Sequence, residues 1–319
     1  MIENCSILVT GGAGFIGSHI ATRLAEANRV VIFDIFTTGR KRNVAHLQHN
    51  PNVKILLIDI RDRDPLVKYS DGGFDYIFHL AAVSSVPQSI EDPIATNDHN
   101  INGTLNILHA AQQLEGCKVI FSSSASVYGD EPTLPKLETM LTIPKSPYAV
   151  TKIGCEQYCR MYYELYDLPT VSLRYFNVFG PNQDPKSEYA AVVPKFIELV
   201  RHGKAPTIFG DGEQLRDFIY VADVVDANIQ AALSEKANGE TFNIASGKPI
   251  SVNQLANIIT DISENPIEPE YLPPRPGDIK NSYADISKAK RLLGWQPKTE
   301  MRNGLNLTYD FFKTQKQNI

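Results

Sequence analysis

At 319 residues and 43% apolar content, the chain is long enough for one large core and a second, smaller one. Its 31 basic and 36 acidic residues leave a formal charge of −5, and the basic residues are scattered, which argues against a nucleic-acid surface and for a small-molecule partner. No run of about 18 apolar residues occurs, and Met1 leads into the first strand without a basic and apolar leader, so no membrane partner and a cytoplasmic location are expected.

Ile7 to Val9 make a short apolar strand that stops at Thr10. Gly11, Gly14 and Gly17 follow at a three-residue period in a segment that turns helical by Phe15. Glycine suits such a turn because the backbone angles exclude a Cβ, a pyrophosphate can touch the main chain, and the helix can pack close on the strand. The N–H groups of that helix start then face the phosphates. A second apolar run ends at Asp34, where a carboxylate accepts hydrogen bonds from ribose hydroxyls and repels a 2′-phosphate, so NAD is favoured over NADP. The polar stretch FTTGRKRN can wrap the adenosine side.

Further strands are expected at Val53 to Ile58, ending at Asp59, and at Tyr76 to Leu80, ending in Ala81 and Ala82, with short helices between strands. Residues 98 to 116 show helical spacing, Val119 to Phe121 enters SSSASVYG, a long helix runs from Tyr148 to about Tyr166, and Thr170 to Phe176 is the next strand. The alternation predicts a doubly wound, Rossmann-like α/β fold, a parallel sheet with helices on both faces and ligands beyond the carboxyl ends of its strands. From Asn177 the loops lengthen and fill with Gly, Pro and charge. The expected division is a dinucleotide-binding domain over 1–176 with a return segment near 217–245, and a smaller, mixed α/β substrate lobe over 177–216 and 246–319, whose last helix spans about 300 to 316. Cys5, Cys117, Cys155 and Cys159 read as reduced thiols, since no second pair completes a metal set.

Tyr148 and Lys152 are four apart and share one helix face. An ammonium beside a phenol stabilises the phenolate and lowers its pKa from about 10 towards neutrality, which makes a general base. Ser124, just past a strand end, can hydrogen-bond a substrate hydroxyl and relay its proton to Tyr148. A polar strand terminus accounts for Ser122 and Ser123 better than for Ser124.

Together TGGAGFIG, Asp34, Asp59-Ile60, LAA at 80–82, SSSASVYG, YAVTK and YFNVFGP resemble the extended short-chain dehydrogenase family, and within it the UDP-sugar 4-epimerases. GDG, RDFIYV, RPGD and ADISKAKRLLGW fit in order, so the resemblance spans nearly the whole chain. It implies NAD held by Gly11, Gly14, Phe15, Ile16, Gly17, Asp34, Gly39, Asp59, Ile60, Leu80, Ala81, Ala82, Asn100, Tyr148, Lys152, Phe176 and Val178. The implied catalytic set is Ser124, Tyr148 and Lys152, with no metal. For the nucleotide sugar it implies Ser85, Ser124 and Tyr148 at the sugar, Asn177 at the diphosphate, Val192 and Lys195 on the uridine side, Arg216 and Arg275 as phosphate clamps, and Asp278 at a ribose hydroxyl. Arginine suits a clamp because its planar fork binds phosphate oxygens bidentately and keeps its charge.

The implied reaction is isomerisation by transient oxidation. Tyr148 takes the sugar 4-hydroxyl proton, directly or through Ser124, the C4 hydride passes to NAD, and the 4-ketone turns before the hydride returns. Ser282 falls where galactose-restricted members carry a tyrosine beside the sugar C2, so the pocket should admit UDP-N-acetylglucosamine and UDP-N-acetylgalactosamine, and also UDP-glucose and UDP-galactose. A dehydratase is disfavoured because Ala125 and Ser126 stand where that subfamily has an Asp-Glu pair. UDP-glucuronate 4-epimerase or decarboxylase stays open, since YFNVFGP also occurs there, and a non-catalytic NAD sensor would be expected to lose the Tyr/Lys pair. The helices at 98–116 and 148–166 carry Ile107, Leu108, Tyr158, Met161, Tyr162 and Leu165 on more than one face, and in the resembling family they pair as a four-helix interface, so a homodimer is expected.

Overall fold

Strands β1 (Ser6–Thr10), β2 (Arg29–Phe33), β3 (Val53–Leu56), β4 (Tyr76–His79), β5 (Lys118–Ser124) and β6 (Thr170–Tyr175) alternate with helices. These are α1 (Phe15–Leu24), α2 (Lys41–Val44), α3 (Val86–Glu91), α4 (Pro93–Asn97), α5 (Gly103–Gln112) and α6 (Pro147–Tyr166). The computed structural model describes residues 1–63, 68, 73–185, 191–274 and 279–314. Beyond β6 come β7 (Asn177–Phe179), α7 (Val192–Arg201), β8 (Thr207–Phe209), β9 (Leu215–Arg216), β10 (Phe218–Tyr220), α8 (Val221–Leu233) and β11 (Glu240–Ile244). The chain closes with β12 (Ile250–Ser251), α9 (Val252–Ser263), β13 (Glu270–Leu272), β14 (Asn281–Ser282), α10 (Ser287–Leu293) and α11 (Met301–Thr314).

Seven strands form one all-parallel sheet in the order β11-β6-β5-β4-β1-β2-β3. Their near-continuous apolar runs suit a sheet buried on both faces. One face packs Ile7, Val9 and Ile120 with Ile20 of α1 and Val224 of α8, and the other packs Leu8, Ile77 and Phe121 with Ile107 of α5 and Cys155 of α6. The strand order reverses between β1 and β4, where a cleft must open beyond their carboxyl ends. A separate core gathers Phe196 and Ile197 of α7, Leu255 and Ile259 of α9, and Leu305 and Phe312 of α11.

Helix α6 shows why its limits are legible. The Ser146 side chain caps the Ala149 N–H, Pro147 opens the first turn, and Asp167 ends the helix in the left-handed region at φ 54°. Elsewhere the expectations need correction. β3 stops at Leu56, short of Ile58, because its neighbour β2 ends at Phe33; Leu57 then points to solvent at 74% exposure. The stretch from 98 starts as a wide turn at Asp98–Asn102 and its helix ends at Gln112. Ile107, Leu108 and Tyr162, read above as spare apolar residues, are buried inside the chain; Leu165 is 67% exposed. No helix among the described residues is long and apolar enough to cross a membrane.

Candidate active site

The turn after β1 is built on close backbone approach. Gly11 sits at φ +67°, its N–H donates to the Phe33 carbonyl at 2.8 Å, and a Cβ there would lie 2.8 Å from the Ala81 nitrogen. Gly14 precedes α1 with no side-chain cap, leaving the first-turn N–H groups to an anion. Asp34 accepts from the Ala13 N–H (2.9 Å) and the Phe36 N–H (2.7 Å), so each carboxylate oxygen keeps capacity for a ligand hydroxyl. Burial pushes its carboxyl up and these two hydrogen bonds pull it down. A side chain on Gly39 would strike Asp34, so glycine lets the loop close on it.

At the far end of this groove Arg61 pairs with Asp59 at 2.6 Å and with Asp98 at 3.1 Å. The Arg61 hydrogen bonds hold the Asp59 carboxyl below the usual carboxylate range. Buried Asn100 grips the Val83 backbone at both ends, accepting at 2.8 Å and donating at 3.1 Å, and donates to Thr151 Oγ1 on α6 at 2.9 Å. It fixes the loop that carries Leu80 to Ser85 against the helix that carries Tyr148 and Lys152.

The reactive groups meet where β5 ends. Ser124 hydrogen-bonds to the half-buried Tyr148, and the Ser126 N–H donates to Ser124 Oγ at 3.2 Å. Lys152 is buried, donates to the Ser122 carbonyl at 2.7 Å, and stands 5.7 Å from the Tyr148 ring centre and 4.8 Å from that of Phe121. Burial pushes Tyr148 up to about 12 and Lys152 down to about 8. This corrects the expectation that the lysine brings the phenol towards neutrality: desolvation of the phenolate dominates, and the Ser124 hydrogen bond is what works in the favourable direction.

One cleft of about 1010 Å³ joins these parts, with Gly11, Asp34, Gly39, Asp59, Ile60, Asn43, Ser85, Ser124, Tyr148, Lys152, Phe176, Asn177, Val178 and Val192 on its wall. Lys195 is exposed on α7, and Arg216 donates to the Leu215 and Lys280 carbonyls at 2.9 and 3.0 Å. Ser282 is the register partner of Arg216 across β9 and β14, and none of these three belongs to the described cleft wall. Arg275 and Asp278 lie outside the described residues. Sequence reasoning missed Arg40 and Asp184, which pair at 2.6 Å between two loops of the cleft wall, and also Asn43, Ser126 and Gln183 on that wall. Arg40 and Asn43 lie in the FTTGRKRN stretch that was read only as a whole, and none of these polar residues has a spacing that sets it apart from a solvated one.

Residues 7–245 match the model of the NAD dependent epimerase/dehydratase family. The chain belongs to that family. It is 39% identical to UDP-glucose 4-epimerase of Mycolicibacterium smegmatis over 97% of its own length and 99% of the relative's. The solved UDP-N-acetylglucosamine 4-epimerase from Methanobrevibacter ruminantium M1, in complex with UDP-N-acetylmuramic acid, superposes with a TM-score of 0.95 at 43% identity, covering 99% of this chain and 100% of that one. UDP-glucuronic acid 4-epimerase from Bacillus cereus, in complex with UDP-glucuronic acid and NAD, gives 0.88 at 35% identity, covering 97% and 99%. These epimerases share a UDP-sugar and differ in which one.

NAD is the family's cofactor, as Asp34 predicted. The residues present fit it. The side-chain-free cradle at Gly11 and Gly17, the uncapped α1 start and the Asp34 carboxylate line the same cleft, and the buried oxygens of Asn43 and Gln183 on its wall have no hydrogen-bond partner among the described residues.

Proposed function

We propose that this chain is a cytoplasmic, homodimeric 4-epimerase that interconverts UDP-N-acetylglucosamine with UDP-N-acetylgalactosamine, and UDP-glucose with UDP-galactose, through a transient 4-keto sugar. The observation that carries this reading is the meeting of Ser124, Tyr148 and Lys152 in the cleft that holds the glycine cradle. Bound NAD supplies a reversible hydride acceptor for C4 and, in its oxidised form, a positive charge. Tyr148 takes the 4-hydroxyl proton, with Ser124 donating to or accepting from the same oxygen, and gives it back to the epimeric alkoxide. The Lys152 ammonium favours the phenolate and orders the Ser122 strand end. In this reading residues 1–176 with 217–245 bind NAD, and 177–216 with 246–319 bind the nucleotide sugar.

The test is incubation of purified protein, without added NAD, with UDP-galactose, UDP-N-acetylgalactosamine and UDP-glucuronate separately, the 4-epimers being resolved by NMR. Conversion of the two neutral sugars supports the reading. Conversion of UDP-glucuronate alone replaces it with the glucuronate enzyme, and no conversion at all points to a cofactor-sensing protein.

Which sugar enters turns on Ser282. Its pairing with Arg216, the residue assigned to the diphosphate, supports a place beside the sugar. A serine there leaves room for an N-acetyl group where a tyrosine ring would clash. Ser282→Tyr is expected to abolish turnover of the acetylated pair and spare UDP-galactose; equal loss for both substrates, or loss for neither, defeats the assignment.

For assembly, the α5 and α6 faces offer partly buried Leu105, Tyr158 and Met161 and exposed Leu165, a smaller apolar set than the sequence suggested, as candidates for a two-fold contact. Light scattering at micromolar concentration should give twice the chain mass of 35.5 kDa, and a monomer rejects the dimer.

A further inference from the structure

Three consecutive serines at the end of β5 meet three residues of α6 spaced one turn apart. Ser124 bonds to Tyr148, the Ser122 carbonyl accepts from Lys152 at 2.7 Å, and Ser123 Oγ donates to Glu156 Oε1 at 2.5 Å. Positions 148, 152 and 156 form one stripe along the helix. Glu156 is fully enclosed and gripped from β6 by Arg174, whose Nε reaches Oε1 at 2.9 Å and Nη2 reaches Oε2 at 2.7 Å. Arg174 in turn lies 4.9 Å over the Tyr128 ring and donates to its hydroxyl at 2.9 Å, which donates to Asn243 Oδ1 at 2.6 Å on β11. The network joins β5, α6, β6 and β11 behind the reactive groups, and both carboxylate oxygens of Glu156 are bonded within it. Burying both charges carries a desolvation cost, and an apolar pair of similar size would pack as well, so packing alone does not account for them.

The groups that face Lys152 are Tyr148, Cys155, Glu156 and Cys159 on α6 and His79 on β4, with the Phe121 ring and the Ser122 carbonyl on β5. Burial keeps both thiols protonated by raising them, and it keeps His79 neutral by dropping it to about 3. Glu156 remains as the charged group beside the ammonium, with Arg174 behind it.

We infer that Glu156 is a positioning residue: held by Arg174, it locks the serine strand end in register with α6 and sets a negative charge one helical turn from the Lys152 ammonium. The inference rests on the reading of Tyr148 and Lys152 given above. Burial first of all lowers Lys152; Cys155 and Cys159 would oppose that only as thiolates, which leaves Glu156 to oppose it while both thiols are protonated. The ammonium serves the phenolate below its own pKa, so activity falls on the alkaline side as the proton leaves. Removing the negative charge in Glu156→Gln lowers that pKa and moves the alkaline limb of kcat to lower pH by about one unit. Arg174→Gln, which keeps the carboxylate and deletes the cation behind it, moves the limb to higher pH.

The experiment is kcat against pH for both variants, with the NAD content of each measured. Opposite shifts support the inference; an unmoved limb in both, or shifts in one direction, overturn it. Where either variant fails to fold, Ser123→Ala decides, because it deletes only the hydroxyl tie: a fall in kcat of about fivefold with KM and the limb unchanged supports the register role, and wild-type kcat overturns it. Tyr148→Phe is run alongside. An active Tyr148→Phe locates the failure in the underlying reading, and an inactive one with unmoved limbs in the other two locates it in Glu156.

Discussion

Tyr148→Phe is expected to lower kcat about 10²- to 10⁴-fold, the range for loss of a positioned general base, with folding and bound NAD unchanged. The phenol hydroxyl meets Ser124 and the cleft, while the ring carries the packing, so phenylalanine keeps the ring and leaves Ser124 to solvent or substrate. Burial holds the free phenol up near 12, so the phenolate forms only where positive charge is present, and Lys152 lies beside the ring. The effect should therefore appear in kcat with little change in KM, since the hydroxyl acts on the reacting proton. Single-turnover measurement of UDP-galactose with protein of known cofactor content checks it. Near-normal turnover in a variant that keeps its cofactor removes Tyr148 from the role of base.

What could be read in the sequence divides along physical lines. The glycines, Asp34 and the Tyr148/Lys152 pair were legible because their geometry is local: a turn, a strand end and one helical turn fix where each group points before any long-range contact forms. Six strands of the sheet followed from apolar runs alternating with helical spacing, while β11 lay in a segment read only as returning to the first domain. Lys195, Arg216 and Ser282 were placed by resemblance alone, and the positions of Arg216 and Ser282 depend on how short strands β9, β12 and β14 pair across the chain, which no local pattern encodes. Strand β3 was overrun for the same reason, since its end is set by its partner strand β2. The direction of the Tyr148 shift failed differently. Spacing revealed the nearby ammonium, whereas the desolvation that raises the phenol comes from strands and loops that close over the helix only in the folded chain. Glu156 on its helix and Arg174 on its strand were passed over because a charged side chain reads as solvated until the elements that cover it are in place.

The cradle gives the second large effect, and the three glycines should rank. A Cβ on Gly17 would lie 2.2 Å from the Gly11 carbonyl oxygen, 2.9 Å from its carbon and 3.0 Å from the Gly12 Cα, all backbone atoms of the turn. None can rotate away, so Gly17→Ala must push α1 off the strand end or reshape the turn proposed to meet the pyrophosphate. Forced overpacking of this kind costs about 3 kcal/mol or more, and each ~1.4 kcal/mol of it weakens cofactor binding about tenfold, so a loss of at least about 100-fold is expected. Gly11→Ala should be comparably severe, since it combines φ +67° with a Cβ 2.8 Å from the Ala81 nitrogen. Gly14→Ala meets only the Gly11 oxygen, at 3.1 Å and at an ordinary negative φ of −71°, and should lose less than about tenfold. The measurements are NAD released per chain on denaturation and the unfolding midpoint of each variant. Gly17→Ala that purifies with wild-type NAD content would show that the close approach of α1 to the turn is not what holds the cofactor.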